Sequence, residues 1–420
     1  MRLLWIVNIV MPELAEYLDI PIAASGSWLI DIADGIANSS SNSLAIACVY
    51  GEKYKKYILG NKIYYTLPGN GKTMLFYTKS LEEQWKKIIE DFKPDLIHIH
   101  GTEYSHGLAC MRAIPNIPYI ISIQGILNKI KEVDFAEIPL KYFIFGRTLK
   151  QFLHMNGEIE THILNCKNAK YEREMFKRAN AINGVSTWDI SIAKSFNSKL
   201  LTYKLDYNLR ELFYKSSKWD INGVKRYTIF TNPGGVPLKG LHNLIKAAVL
   251  LISKYPNLLI KVPGMVGKKG NVRISSAYTR FLNRLIKKYN MEKHIVFLGK
   301  QSEKEMIENM LNSHVTVIPS AIEGASLILH EAMFLGAPCI ATFRGGMADF
   351  VSDKKDGYLY DYSEYTYLAE RLNQLFTDDK LCMQISKNAI KKCEVAHERK
   401  KNIKSYINMY SEVKNSFTRS

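Results

Sequence analysis

His314 to Tyr360 reads HVTVIPSAIEGASLILHEAMFLGAPCIATFRGGMADFVSDKKDGYLY, and this stretch decides the fold class. An apolar run, HVTVIPS, leads into a loop with Glu323 and Gly324. A short helical pattern follows, with Glu331 eight residues beyond the first acid. The pattern opens near Ser326 and stops at Gly336, with Pro338 just beyond, as helix punctuation requires. Strand, loop and helix in that order make one step of a parallel α/β sheet. The loop lies at the strand's carboxyl end, where such sheets take their ligands. The geometry predicts a carboxylate and several free backbone N–H groups at one helix N-terminus, with a second carboxylate a turn or two down. Such a site suits a ligand with both an anionic phosphate and sugar hydroxyls.

The same alternation extends in both directions. RLLWIVNIV, SLAIACVY, DLIHIH, YIISIQG and AINGVS read as strands of a first sheet, with WLIDIADGIAN as a helix after the first. The rhythm restarts with YTIFTNPGG, NLLIKVPG, HIVFLG, HVTVIPS, PCIATF and GYLY, separated by helices near 241–255, 277–290, 303–312 and 326–335. The stretch 206–225 lacks a strong period and reads as a linker. The segment 126–175 has no strand character and reads as helices and loops inserted at a cleft edge. The expected fold is therefore α/β, with two Rossmann-like, doubly wound domains facing a central cleft. The boundaries are 1–205, with the C-terminal helix 397–420 joined to it, and 226–396.

Bulk composition agrees. A chain of 420 residues is long for one core. With 47% apolar and 23% charged residues it is globular and not disordered. No apolar run reaches the length of a bilayer span. MRLLWIVNIVMP reads as a first buried strand and not as a signal peptide, since no small-residue cleavage pattern follows. Six scattered cysteines without CxxC spacing argue against a zinc site or disulfide framework and fit a reducing cytoplasm. The net charge of +17 points to an anionic ligand, or to an anionic membrane surface near the basic KKCEVAHERKKNIKSY segment. Nucleic acid is disfavoured for want of a compact basic motif.

Glu pairs at this spacing are usually surface acids, but here the context differs. Glu323 stands beside Gly324, where a ligand approaches backbone closely. Glu331 lies four residues after Leu327 on one helix face, inside the apolar IEGASLILHEAMFLGAP, and a carboxylate on a buried stripe needs partners.

Glu323-Gly324, Glu331-Ala332-Met333, Gly336-Ala337-Pro338, Gly345-Gly346 and Asp356-Gly357 together resemble the donor-binding pattern of the family 4 retaining glycosyltransferases, which have the GT-B fold. KPDLIHIHG, PLKGLHNLIKA and VFLGKQSEKEM are similar to further parts of that family. The resemblance implies that Glu331 binds the ribose hydroxyls of a nucleotide donor and that Glu323 holds hydroxyls of the transferred sugar. It puts the backbone of Ala325, Ser326 and Leu327 on the diphosphate and Gly299 in the base-binding loop. It gives Lys239 the charge that builds on the leaving diphosphate. The family's partner Arg, five residues before that Lys, is replaced here by Gly234. Gly234 and Gly235 as an N–H nest, Arg344, or a loop Lys are the candidate substitutes.

Gly26, between Ser25 and Ser27, is either a flexible turn or the family's Gly loop near diphosphate and acceptor. In the first sheet, His98 and His100 share a strand face and read as packed core histidines, with His100 nearer the carboxyl end and Glu103 just beyond. Gln124 stands where the family often has a His that contacts the sugar; it can donate and accept hydrogen bonds but cannot titrate. Thr187, in Ser186-Thr187-Trp188-Asp189, either touches acceptor or belongs to a helix cap. His100, Glu103 and Thr187 are the acceptor-side candidates.

The resemblance implies a retaining, metal-independent glycosyltransferase in the cytoplasm or on the inner face of the membrane. It would move a sugar from a nucleotide-diphosphate donor to a saccharide or lipid-linked saccharide acceptor, in bacterial surface polysaccharide synthesis. No cofactor beyond the nucleotide sugar is expected, and no metal. The alternatives are a nucleotide-sugar-binding protein that has lost turnover, or another GT-B enzyme such as a sugar-nucleotide epimerase. A nicotinamide dehydrogenase is disfavoured, because the first strand lacks GxGxxG and its ribose acid.

Overall fold

The computed structural model describes residues 1–22, 26, 28–39, 41–265 and 272–419. The chain divides into two compact units. The first holds Met1–Lys131, Asn165–Arg210 and His397–Ser420; the second holds Glu132–Leu164 and Glu211–Ala396.

The first unit is built on eight strands: β1 Arg2–Ile6, β2 Ser43–Val49, β3 Lys55–Leu59, β4 Lys62–Leu67, β5 Leu96–His100, β6 Tyr119–Ser122, β7 Ala181–Asn183 and β8 Leu201–Tyr203. Their order is β3-β4-β2-β1-β5-β6-β7-β8. All pairs are parallel except β3 with β4. Both faces of this sheet are covered, so β1 is apolar at every inner position and not at alternate ones. Leu3, Trp5 and Val7 pack with Ile32, Met409 and Tyr410 on one face. Leu4 and Ile6 pack with Trp85, Ile88 and Phe176 on the other. The terminal helix Arg399–Arg419 belongs to this unit, where the Arg399 guanidinium pairs with Asp31 of the helix Trp28–Ala37.

The second unit has six parallel strands: β9 Lys225–Thr231, β10 Leu259–Pro263, β11 Ile295–Gly299, β12 Ser313–Ile318, β13 Cys339–Thr342 and β14 Tyr358–Tyr360. They run in the order β11-β10-β9-β12-β13-β14. All six strands read from the second half of the sequence are present. The helices fall at Leu241–Val249, Ala277–Lys288, Glu303–Leu311 and Leu327–Leu335.

Three features differ from the sequence expectation. The β3–β4 hairpin was not anticipated; its two-residue loop is Gly60-Asn61, with Gly60 at φ 56. Residues 132–164 cluster with the second unit and not with the 1–205 block. They are tied there by the Ala136 carbonyl, which accepts from Tyr362 Oη at 3.1 Å and from His242 Nε2 at 3.2 Å. The expected linker 206–225 is packed: Tyr207, Asn208 and Leu209 are buried with the first unit, and the chain joins the second unit from Glu211. Phe213 is buried, the Trp219 indole N–H donates to the Ser313 carbonyl at 2.8 Å, and the Trp219 amide donates to Leu335 at 2.7 Å. A few large anchors hold a segment whose polar residues hide any period. No helix among the described residues is long and apolar enough to cross a membrane.

Candidate functional site

The carboxyl edge of the second sheet gathers most of the residues singled out from sequence. The helix Leu327–Leu335 starts after Ser326, whose Oγ accepts from the Leu329 amide at 3.4 Å, and ends at Gly336 with φ 88. Its first N–H groups are those an α-helix leaves without internal partners. Glu331 is buried within it, on a stripe that is otherwise apolar. Glu323 precedes it, with a side chain only 12% exposed.

Glu323 does not point into solvent. Its Oε1 accepts from Lys239 Nζ at 2.6 Å and from Ser320 Oγ at 2.7 Å. Ser320 Oγ in turn accepts from Asn232 Nδ2 at 2.8 Å, and the Ser320 carbonyl accepts from Thr342 Oγ1 at 2.7 Å. The ends of β9, β12 and β13 are thereby tied through the hydroxyl and the carbonyl of Ser320. Lys239 closes the short 3-10 turn Pro237–Lys239 and remains partly exposed. The Lys239 side chain is 36% exposed, so the ammonium reaches water from its place beside Glu323.

Glycines explain why these groups meet. Gly345 has φ 83, and a Cβ there would overlap the Glu323 carbonyl, which also accepts from the Gly346 amide at 2.8 Å. The Gly345-Gly346 pair therefore clamps the Glu323 loop against the end of β13. Gly240, at φ 66, leaves room for the Pro319 carbonyl, and the Ala321 amide donates to Leu238 at 2.7 Å. Gly234, where a second cation was expected, sits against Leu241, 2.5 Å from where its Cβ would be. A side chain there would require the Leu241 side chain to shift. Gly235 follows on the same loop. Arg344, one candidate substitute, is occupied elsewhere: its guanidinium meets Glu137 at 2.9 Å and Asp361 at 3.4 Å. Gly299 ends β11 at φ 74 and accepts from the Gly264 amide at 2.6 Å. Gly324 and Ala325 complete the loop before Ser326. Asp356 serves the fold; it accepts from the Ser352 amide at 2.7 Å and from Lys392 Nζ at 3.1 Å.

In the first unit the candidates lie at the carboxyl ends of β1, β5, β6 and β7. Gly26 is buried at φ 87 against Ile9, so both conformation and packing demand glycine; Ser25 and Ser27 lie outside the described residues. Glu103 and Gln124 converge on Gly101, φ 95, whose Cβ would stand 2.6 Å from Glu103 Oε2 and 3.0 Å from Gln124 Oε1. Gly125 leaves similar room beside Glu103 Oε1. Gln124 Oε1 accepts from Asn8 Nδ2 at 3.2 Å. Burial pushes the Glu103 carboxyl up to about 7, and the nearby Glu172 charge adds to this. Glu172 is itself buried and braces the two loops. It accepts from Thr102 Oγ1 at 2.7 Å, from Asn128 Nδ2 at 2.6 Å and from the amides of Leu127 and Asn128.

His100 is 2% exposed, with its ring against His98 and Trp5, and burial lowers its pKa to about 3. This is the packed core position read from the strand pattern, and its Nε2 has no hydrogen-bond partner among the described residues. His98 is fixed between Tyr410 Oη and Ser122 Oγ, each at 2.8 Å. Tyr410 Oη also accepts from the Trp5 indole N–H at 3.0 Å. Thr187 is the exposed first residue of a helix capped by Ser186 and Asp189 in a capping box, so the cap reading holds.

Sequence reasoning missed Asn232, Ser320 and Glu172. The first two carry a weak signal, since both lie just past a β-rich run. Glu172 carries none, because it sits mid-helix in a polar stretch.

Residues 217–392 match the family model described as glycosyl transferases group 1. The D-inositol 3-phosphate glycosyltransferase of Corynebacterium urealyticum is 32% identical over 142 residues, covering 34% of this chain and 33% of that protein. The chain thus spans about a third of that relative's length in the match. Among solved structures, sucrose-phosphate synthase from Thermosynechococcus elongatus superposes with a TM-score of 0.73 at 14% identity, covering 100% of both chains. HepE of Anabaena, solved with UDP and glucose, gives 0.67 at 16% identity over 98% of this chain and 100% of its own. The fold is GT-B, with two parallel-sheet units.

Proposed function

We infer that this chain, whose second unit is a glycosyl transferases group 1 domain in a GT-B fold, transfers a glycosyl group from a nucleotide-diphosphate sugar to an acceptor hydroxyl. One observation carries the reading. A cation, a carboxylate and a helix N-terminus stand together at the carboxyl edge of the second sheet, through Lys239, Glu323 and Ser326-Leu327. That set complements a sugar bonded to a diphosphate, because the helix amides and the ammonium take the phosphates while the carboxylate accepts from sugar hydroxyls.

In the proposed reaction Lys239 leaves Glu323 for the diphosphate, and its charge offsets the charge that develops as the anomeric C–O bond breaks. Glu323, released, holds hydroxyls of the sugar. Glu331 holds the ribose. Attack comes from the face the diphosphate leaves, so configuration is retained, and the acceptor proton passes to the departing phosphate oxygen. No side chain is needed as a base.

We propose a saccharide or lipid-linked saccharide as acceptor, and surface polysaccharide synthesis at the inner face of the membrane as the setting. HepE was solved with UDP and glucose, which makes UDP-sugars the first donors to try. The test is incubation with a panel of UDP-, GDP- and ADP-sugars and sugar acceptors, read by mass spectrometry. A product heavier than the acceptor by one glycosyl residue supports the reading. Binding of a nucleotide sugar without any product, with or without acceptor, would instead make the chain a binding protein of the same fold.

A further inference from the structure

The segment between Leu140 and Met155 is built inside out. Phe145 is 83% exposed, Leu149 74%, Phe152 62% and Leu153 67%, while Gln151 among them is 4% exposed. Leu149, Phe152 and Leu153 stand at i, i+3 and i+4 of the helix Leu149–His154, so they share one face. The exposure is not a sign of loose structure, for the inner side is firmly held. Thr148 and Gln151 form a capping box, and Gln151 Nε2 donates to Glu158 Oε2 at 2.9 Å. Glu158 Oε1 accepts from the Tyr278 amide at 2.9 Å. Arg280 donates to the Arg147 carbonyl at 3.1 Å, and Tyr142 lies on Phe281 with ring centroids 4.9 Å apart. Polar groups thus anchor the hairpin to the helix Ala277–Lys288 and turn its apolar side chains outward. An ordered apolar face of this kind marks an interaction surface.

Charge selects the partner. Residues 138–157 contain no Asp or Glu, but they include Lys141, Arg147, Lys150 and His154. The acids that follow are turned inward, Glu158 as above and Glu160 to Arg147 at 2.7 Å. Lys141 and Lys150 are exposed beside the aromatic and aliphatic tips. Apolar tips flanked by cations, with no carboxylate among them, match the boundary between acyl chains and anionic headgroups. We propose that this hairpin docks the second unit on an anionic lipid bilayer, with Phe145, Leu149, Phe152 and Leu153 inserted and Lys141 and Lys150 at the headgroups. The docking extends the reading of a peripheral enzyme by naming its surface. It needs neither donor nor turnover, so it stands or falls apart from glycosyl transfer.

The test is co-sedimentation of the full chain with vesicles of equimolar phosphatidylcholine and phosphatidylglycerol, against pure phosphatidylcholine. The wild type is expected in the pellet with anionic vesicles and in the supernatant with neutral ones. A Phe145→Ser, Phe152→Ser, Leu153→Ser variant should lose the bound fraction by about tenfold or more, since each insertion contributes additively. Its unfolding temperature should match the wild type, because these side chains face out. Lys141→Glu with Lys150→Glu should likewise leave the protein in the supernatant with anionic vesicles, and undiminished pelleting of that variant would overturn the role of the two lysines. Wild-type protein left in the supernatant overturns the proposal, as does undiminished binding of the triple serine variant. Light scattering covers the rival occupant: a dimer that the triple variant dissociates, without vesicle binding by the wild type, assigns the face to a second copy and overturns the membrane reading.

Discussion

Lys239 Nζ lies 2.6 Å from Glu323 Oε1, so the cation and the carboxylate proposed to grip a sugar diphosphate neutralise one another in this structure. Donor binding must then exchange one partner for another: the lysine goes to phosphate and the carboxylate to sugar hydroxyls. Lys239→Ala should lower the transfer rate by roughly 100-fold, the scale on which one electrostatic group acts on a developing charge. Its unfolding free energy should fall by roughly 1–3 kcal/mol, because Glu323, only 12% exposed, loses its cation. A rate within a few-fold of wild type would mean that another cation does the work.

Glu323→Gln separates the two roles of the carboxylate. With no anion beside it, Lys239 is free for phosphate, so nucleoside diphosphate affinity should hold or rise by a few-fold. Transfer should be lost. Calorimetry and product assay on one preparation check both; lost affinity with retained turnover would contradict the exchange.

Gly345 tests the clamp on the loop. Gly345→Ala forces a side chain into φ 83 and into the Glu323 carbonyl, which should cost roughly 1–3 kcal/mol and displace the carboxylate. Gly60→Ala, at φ 56 with open space around it, carries only the conformational cost of about 1 kcal/mol. Urea unfolding of the two variants should therefore rank them, and only the first should impair transfer.

Glu103 should leave a mark on the pH dependence of stability. Its carboxyl is held near 7 when folded, against 4.5 for an ordinary Glu. Below 4.5 both states are protonated and nothing is lost. Between 4.5 and 7 the unfolded chain sheds the proton while the folded chain keeps it, so stability falls as pH rises; above 7 the loss is constant. The loss amounts to about 3 kcal/mol. Glu103→Gln removes it, so the variant should gain on the wild type between pH 5 and 8, as read by urea unfolding at each pH. Parallel curves would show that the carboxyl is solvated.

The sheets were legible because their strands are continuous apolar runs closed by Gly or polar residues, as in Val315-Thr316-Val317-Ile318. The helix from Leu327 was bounded to the residue by Ser326 and Gly336. What stayed hidden was long-range. Nothing local shows that the Ala136 carbonyl meets His242 and Tyr362, so 132–164 could not be assigned to its unit. Strand β3 is largely exposed and opens with two lysines, without the apolar alternation that marks a strand. At the site, Glu323 and Glu331 were singled out from type and spacing, and Lys239 from the family resemblance. Ser320 and Asn232 were not, because their role is to position Glu323 and shows only in three dimensions. His100 was read as a packed core histidine, and alternation does point it into the face that Trp5 and Tyr410 fill.

The central claim is that the segment from Glu323 to Glu331 binds a nucleoside diphosphate. Isothermal titration of UDP, GDP and ADP into the wild type and into Glu331→Gln tests it most directly. At least one diphosphate should bind the wild type, and the same one should bind Glu331→Gln about tenfold or more weakly, as expected when a charged hydrogen bond to ribose is weakened. Equal binding by both proteins, or no binding of any of the three to the wild type, would contradict the account.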